Sequence, residues 1–187
     1  RNIGLQELSF SPNINCIWGN NGEGKTNLLD AIYYLSMTKS ALSASDRFNF
    51  RYGCGEFSLS GSYRLQNSLS SRVCLYVNGE GKKIRRDDKP LAKISDHIGQ
   101  FPVVMVSPSD ISLVSESGEE RRKFLNAVLS QLDPEYLAAV QQYNRLLLQR
   151  NHILKGDRVD AELLRVIDLK MAAVANPVYE ARKNFAQ

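Results

Sequence analysis

The sequence predicts an α/β fold in two parts, a strand-rich lobe with β-hairpins over residues 1–107 and a helical subdomain over residues 108–187. Three observations predict it. A glycine-rich run, GNNGEGKT (19–26), stands between a short apolar stretch and a helical apolar pattern. Two alternating segments at 56–63 and 72–77 are followed by Asn-Gly turn chemistry. After Pro108 the apolar residues recur at steps of three and four rather than two.

LQELSF (5–10) and INCIW (14–18), separated by SPN, read as a strand, a turn and a buried strand that runs into the glycine loop. A helix is expected from Lys25 to about Met37, with Leu28, Leu29, Ile32 and Leu35 at helical spacing and Tyr33 and Tyr34 as packing residues. EFSLSGSY (56–63) and RVCLYV (72–77) alternate as strands, and NGEG (78–81) supplies a hairpin turn. FPVVMV (101–106) is continuously apolar and suits a strand buried on both faces. In SGEE (117–120) the serine and the glutamate three residues later form a capping box ahead of RRKFLNAVLSQL, which has Phe124, Val128 and Leu132 on one face. Asp133 and Pro134 suit the cap and first position of another helix, striped by Tyr136, Val140, Tyr143, Leu147 and Leu154. A third helix is expected from Ala161, interrupted before Pro177.

The chain has 187 residues, 43% hydrophobic and 24% charged, with no apolar run of the ~18 residues a membrane span requires. A cytosolic location is the expectation. Three cysteines without CxxC spacing and two distant histidines suggest neither a disulfide framework nor a zinc site. His97 and His152 read as surface polar residues. A net charge of +4 permits a polyanionic partner without demanding one. The sequence starts at Arg1 and stops at Gln187 inside a helical pattern, and so reads as a piece of something longer.

Gly19, Asn20, Asn21, Gly22, Glu23, Gly24, Lys25 and Thr26 satisfy GxxxxGK[ST] in the strand-to-helix context that this motif needs. The glycines permit backbone conformations that turn successive N–H groups around phosphate oxygens. Lys25 brings a full charge to the β and γ phosphates, Thr26 offers a hydroxyl to Mg2+, and the following helix points its positive end at the same anion. The loop is therefore read as the holder of a nucleoside triphosphate.

The flanking residues resemble one family. NINCIWGNNGEGKTNLLDAIYYLS, with Asn27 directly after the threonine, is similar to the first strand, loop and helix of the RecF family of DNA recombination and repair ATPases, relatives of the ABC and SMC heads. Residues 101–154 resemble the same family throughout, including the Ser-Pro-x-Asp turn at Ser107–Asp110, the pair Arg121 and Arg122, LSQLDPEYL and YNRLLLQRN. The resemblance implies a P-loop NTPase fold with an ABC-ATPase-like lobe. It also implies ATP and Mg2+ as cofactors, with Thr26 on the metal and Asn27 beside the nucleotide. Arg1 and Asn2 match the Arg-Asn pair of the family's first hairpin, near the base or sugar, and Asp110 lies where ABC-type heads sense the γ-phosphate. A cytoplasmic, nucleoid-associated bacterial protein is implied, working in DNA repair, recombination, replication and the SOS response. It would bind duplex DNA at single-strand gaps, form a homodimer with ATP, hydrolyse it slowly, and help load RecA with RecO and RecR.

Two motifs of a complete ABC-type ATPase are not found: an apolar strand ending in paired acids, and an LSxGQ signature. LSQL (129–132) lacks the glycine, and LLRVID (163–168) carries Arg165 mid-run. In the family both come later in the chain, so truncation is the expected explanation, with weak nucleotide binding and almost no hydrolysis by this piece and no catalytic residue within it. KKIRR (82–86) offers Lys82, Lys83, Arg85 and Arg86 either to DNA phosphates or as the solvated guard of an edge strand. The alternatives to the RecF reading are another SMC or ABC-type head, or a nucleotide-binding interaction module without hydrolysis.

Overall fold

A computed structural model describes residues 2–65, 69–115, 118–156 and 160–186. Two compact units divide the chain, Arg1–Met105 and Val106–Gln187.

In the first unit the glycine loop leads into α1 (Lys25–Met37). Four antiparallel strands follow in the order β1-β2-β3-β4: β1 (Glu56–Arg64), β2 (Ser70–Asn78), β3 (Gly81–Arg86) and the short β4 (Lys89–Pro90). Turn chemistry sets the register. Asn78 and Gly81 are paired across the β2–β3 hairpin, and the Asn78 side chain accepts from the N–H groups of Glu80 and Gly81. Asp87 and Asp88 both take positive φ (50° and 62°), the pair of conformations a two-residue turn between β3 and β4 requires.

One sheet face packs on α1. Val73, Leu75, Val77 and Ile84 are buried against Tyr34 and Leu35, with Phe57, Leu59 and Tyr63 closing the edges. Each fully buried aliphatic side chain contributes roughly 1.5–3 kcal/mol. Tyr34 meets Phe57 edge-on at 5.4 Å, and Phe101 stacks on Tyr63 at 4.1 Å. His97 is wholly buried, not on the surface as its sequence context suggests. Its Nε2 donates to the Leu35 carbonyl at 2.7 Å, its Nδ1 has no hydrogen-bond partner among the described residues, and its ring lies 5.5 Å from Phe101.

Three expected strands are absent. Residues 5–10, 14–18 and 101–106 carry no strand, and Leu5, Ile14, Trp18, Val104 and Val106 are largely exposed. A strand exists only through its ladder, and among the described residues none pairs with these segments.

The second unit is helical: a one-turn α2 (Ser112–Ser115), then α3 (Gly118–Leu132), α4 (Pro134–Leu154) and α5 (Ala161–Phe185). Asp133 caps α4 by accepting from Glu135 N at 2.8 Å, with Pro134 at the first position. The serine of the expected capping box at 117–120 lies outside the described residues. On α3 the packed side is Leu125 and Leu129 rather than Phe124 and Leu132, which are exposed. The expected break before Pro177 does not occur, since α5 runs through it. Packing overrides the proline: the next residue, Val178, is buried with Leu129 and Tyr136, and Arg182 donates to Tyr136 Oη and Asn126 Oδ1. LSQL lies in α3 and LLRVID in α5, both helical.

Candidate functional site

The glycine loop is shaped by its backbone. Gly22 and Gly24 have φ of 86° and 99°, a region that costs residues with a Cβ. A Cβ on Gly24 would also come within 3.1 Å of both Asn2 Oδ1 and Ile3 Cγ1. Gly24 is the N-cap of α1 and, being glycine, offers no side-chain bond to the first N–H groups of the helix, whose positive end adjoins the loop. Leu28 N already reaches Gly24 O at 2.9 Å and starts the helical ladder.

Side chains hold this shape. Glu23 accepts from the Asn20 backbone N–H at 2.9 Å and from Asn20 Nδ2 at 3.0 Å. Asn2 Nδ2 donates to the Gly22 carbonyl at 2.6 Å, and Asn27 Nδ2 donates to Asn2 Oδ1 at 2.7 Å, so the N-terminal segment clasps the loop. Lys25 Nζ donates to the carbonyls of Gly19 and Asn20, both at 2.7 Å. An ammonium has three donors. The third is left for an anion in the loop, where the helix dipole acts in the same sense. Thr26, on the first turn of α1, and Asn21, within the loop, are both exposed.

The opposite end of α1 is anchored to the sheet. Thr38, at φ 54°, ends the helix, and Lys82 Nζ donates to its carbonyl at 2.7 Å, placing a cation at the negative end of the helix dipole. The same ammonium lies 2.9 Å from Asp46 Oδ2, while Tyr34 Oη donates to Asp46 Oδ1 at 2.7 Å. Burial, followed by the Asp46 carboxylate, pushes the Tyr34 phenol far above its ordinary range. Asp30 is buried on the helix and accepts from Ser40 Oγ and Ala41 N, fixing the segment after α1. These anchors escape a motif search. The signal for Asp30 is an acid inside the apolar run LLDAIYYL.

The remaining expected site residues each belong to one of the two units. Arg1 lies outside the described residues. Asp110 belongs to the second unit, where its carboxylate accepts from Ser107 N at 2.5 Å in the capping box of a single 3-10 turn. Strand alternation divides KKIRR: Lys82 and Arg86 sit on the face toward α1, Lys83 and Arg85 on the exposed face. Among the described residues no three His, Cys, Asp or Glu side chains could hold a metal together, and no helix is long and apolar enough to cross a membrane.

The arrangement can receive a polyphosphate, with N–H groups and Lys25 as donors and Thr26 as a hydroxyl ligand for a hard cation. Comparison with known proteins is consistent with that chemistry. A family model described as an AAA domain matches residues 1–172. The chain is 43% identical over 188 residues to the DNA replication and repair protein RecF of Porphyromonas gingivalis, covering all of this chain and 52% of the relative. It is 41% identical over 187 residues to that of Parabacteroides distasonis, covering 51% of it. Among solved structures it is similar to the recombination mediator protein RecF-ATP in the RecFOR pathway, with a TM-score of 0.91 at 30% identity over all of this chain and 51% of that one. The RecF-ATPrS structure gives 0.89 at 30% identity over 97% and 50%. The chain thus spans about half the length of the relatives it matches.

Proposed function

The chain belongs to the AAA-domain family, in its RecF branch, and from that premise we propose that Gly19–Thr26 holds the triphosphate of ATP, with Thr26 as a ligand of Mg2+. One observation carries the reading. Lys25 is held over a left-handed glycine loop by two backbone carbonyls, directly ahead of a helix N-terminus that has no side-chain cap. The similarity to RecF-ATP supports the choice of nucleotide.

In the longer protein, bound ATP acts as a conformational switch: it brings two heads together on duplex DNA beside a single-strand gap, and slow hydrolysis releases them. Mg2+ supplies charge neutralisation at the β and γ phosphates. Asn2 and Asn27 position the loop. Work with RecO and RecR to load RecA on the bacterial nucleoid, as part of recombination and the SOS response, belongs to the same proposal.

The test is titration of a fluorescent ATP analogue with Mg2+ against wild type and Lys25→Ala. Loss of one charge-assisted donor to phosphate predicts affinity about tenfold weaker or worse, with the fold retained by circular dichroism. Equal affinity in the variant would overturn the assignment.

A further inference from the structure

The exposed face of the antiparallel sheet repeats one chemical unit along its length. Register places Ser58 beside Tyr76 and Lys83 on one rung, and Ser60 beside Cys74 and Arg85 on the next. On the third rung Ser62 faces Arg72, and on the fourth Arg64 faces Ser70. Each rung thus presents one serine hydroxyl and one cation, and all eight residues are exposed. Residues two apart on a strand are about 7 Å apart. That step is comparable to the separation of neighbouring phosphates along one nucleic-acid strand.

Two of the cations are ordered in place. Arg72 lies along the face with Nε donating to Ser60 Oγ at 3.3 Å, and Arg85 is held by Nε and Nη2 donating to the Asp88 carbonyl at 3.2 and 2.7 Å. The acids stand at the margins. Glu56 is at one end of β1 and accepts from Tyr76 Oη, Glu80 and Asp88 lie in the turns, and the Asp87 carboxylate is taken up by Ser71 Oγ and Arg72 N. The apolar side chains of the strands point the other way, into the core with α1. Tyr76 is the one aromatic side chain that the three strands present on the outer face, and its hydroxyl is tied to Glu56; the rest of that face is serine, Cys74 and cations rather than the apolar cluster of a protein-docking surface. Arginine, lysine and serine hydroxyls are the groups that contact phosphodiester oxygens without reading sequence.

We propose that this face, Ser58 to Arg64 with Arg72, Lys83 and Arg85, is a phosphate ladder that tracks one strand of a nucleic-acid backbone irrespective of sequence. It rests on the DNA-binding reading above and assigns that activity to a surface distinct from the glycine loop. Lys82 and Arg86 take no part, because they face α1.

The test is anisotropy of labelled mixed-sequence oligonucleotides, single-stranded and duplex, between about 50 and 200 mM salt. Arg64→Glu with Lys83→Glu reverses two charges on the face, while Lys170→Glu with Lys183→Glu reverses two on exposed positions of α5. Arg64→Gln with Lys83→Gln serves should the reversal impair folding, judged by circular dichroism and the thermal midpoint. The expected result is a loss of about tenfold or more in the face variants only, with the salt slope falling by about 0.9 per lost duplex contact or about 0.7 per single-strand contact. ATP-analogue affinity should not change. Binding as tight as wild type in the face variants overturns the ladder and leaves the DNA reading standing. An equal loss in both pairs reduces the effect to net charge and overturns it too. Absence of oligonucleotide binding by wild type removes both. Competition by polyglutamate as effective as by unlabelled oligonucleotide points to an acidic protein partner instead, and overturns the ladder.

Discussion

His97 is a buried base with one satisfied nitrogen and one orphan. Burial holds its pKa below the ordinary 6.5, outweighing the Leu35 carbonyl, which favours the proton, while Arg86 opposes it. The unfolded chain therefore binds the proton more readily, and stability is fully present above pH 6.5 and declines as pH falls from there through the folded-state pKa. The thermal midpoint should drop as pH falls below about 6.5, and His97→Gln, which keeps a donor for Leu35 O, should flatten that decline. A parallel pH profile in the variant would refute the role. Gly24 gives a second prediction at this scale. Gly24→Ala meets both a φ of 99° and the contacts with Asn2 and Ile3, so denaturant unfolding should show a loss of about 1–2 kcal/mol, with weaker ATP-analogue binding.

At the scale of the element, β3 separates lysines that the sequence sets side by side. Lys82 bridges Asp46, Tyr34 and the end of α1, while its neighbour Lys83 stands on the opposite face. Lys82→Met should cost about 1.5–3 kcal/mol, as expected for lost bonds to a charged group. Lys83→Met should stay within about 0.5 kcal/mol. Urea midpoints of the two variants decide the matter, and equal values would be fatal to the division. Alternation at period two was present in KKIRR, but a run of charge read as one patch concealed it. The hairpin turn at Asn78 and the cap at Asp133 were legible because their bonds lie within three residues. The glycine loop was legible because its motif is contiguous, eight residues from Gly19 to Thr26, and the Lys25 bonds to Gly19 and Asn20 close within it. Asn2, which donates to a carbonyl twenty residues away, entered only through family resemblance. The passage of α5 through Pro177 depends on Val178 and Arg182 meeting α3 and α4, which no local pattern encodes.

For the molecule as a whole, each unit carries its own core, one between α1 and the sheet and one among α3, α4 and α5. Phe101 apart, which packs on the first core, the exposed apolar side chains Leu5, Ile14, Trp18, Val104 and Val106 belong to the segments that read as strands. Their hydrophobicity was correctly seen, but a strand is a pairwise object, and period alone cannot supply the partner. Ile14 and Val104 are 85% and 71% exposed, so Ile14→Thr with Val104→Thr should move the thermal midpoint very little, within about 0.5 kcal/mol. The same pair should lower the binding of a hydrophobic dye such as ANS. A large drop in midpoint would mean that these side chains are packed.

Trp18 is the only tryptophan of the chain, it is 90% exposed, and it adjoins Gly19. The protein therefore contains a built-in optical probe at the mouth of its glycine loop. Its emission should be that of a water-bathed indole, open to quenching by iodide, and a nucleotide settling beside it would be visible as a spectral shift without any label.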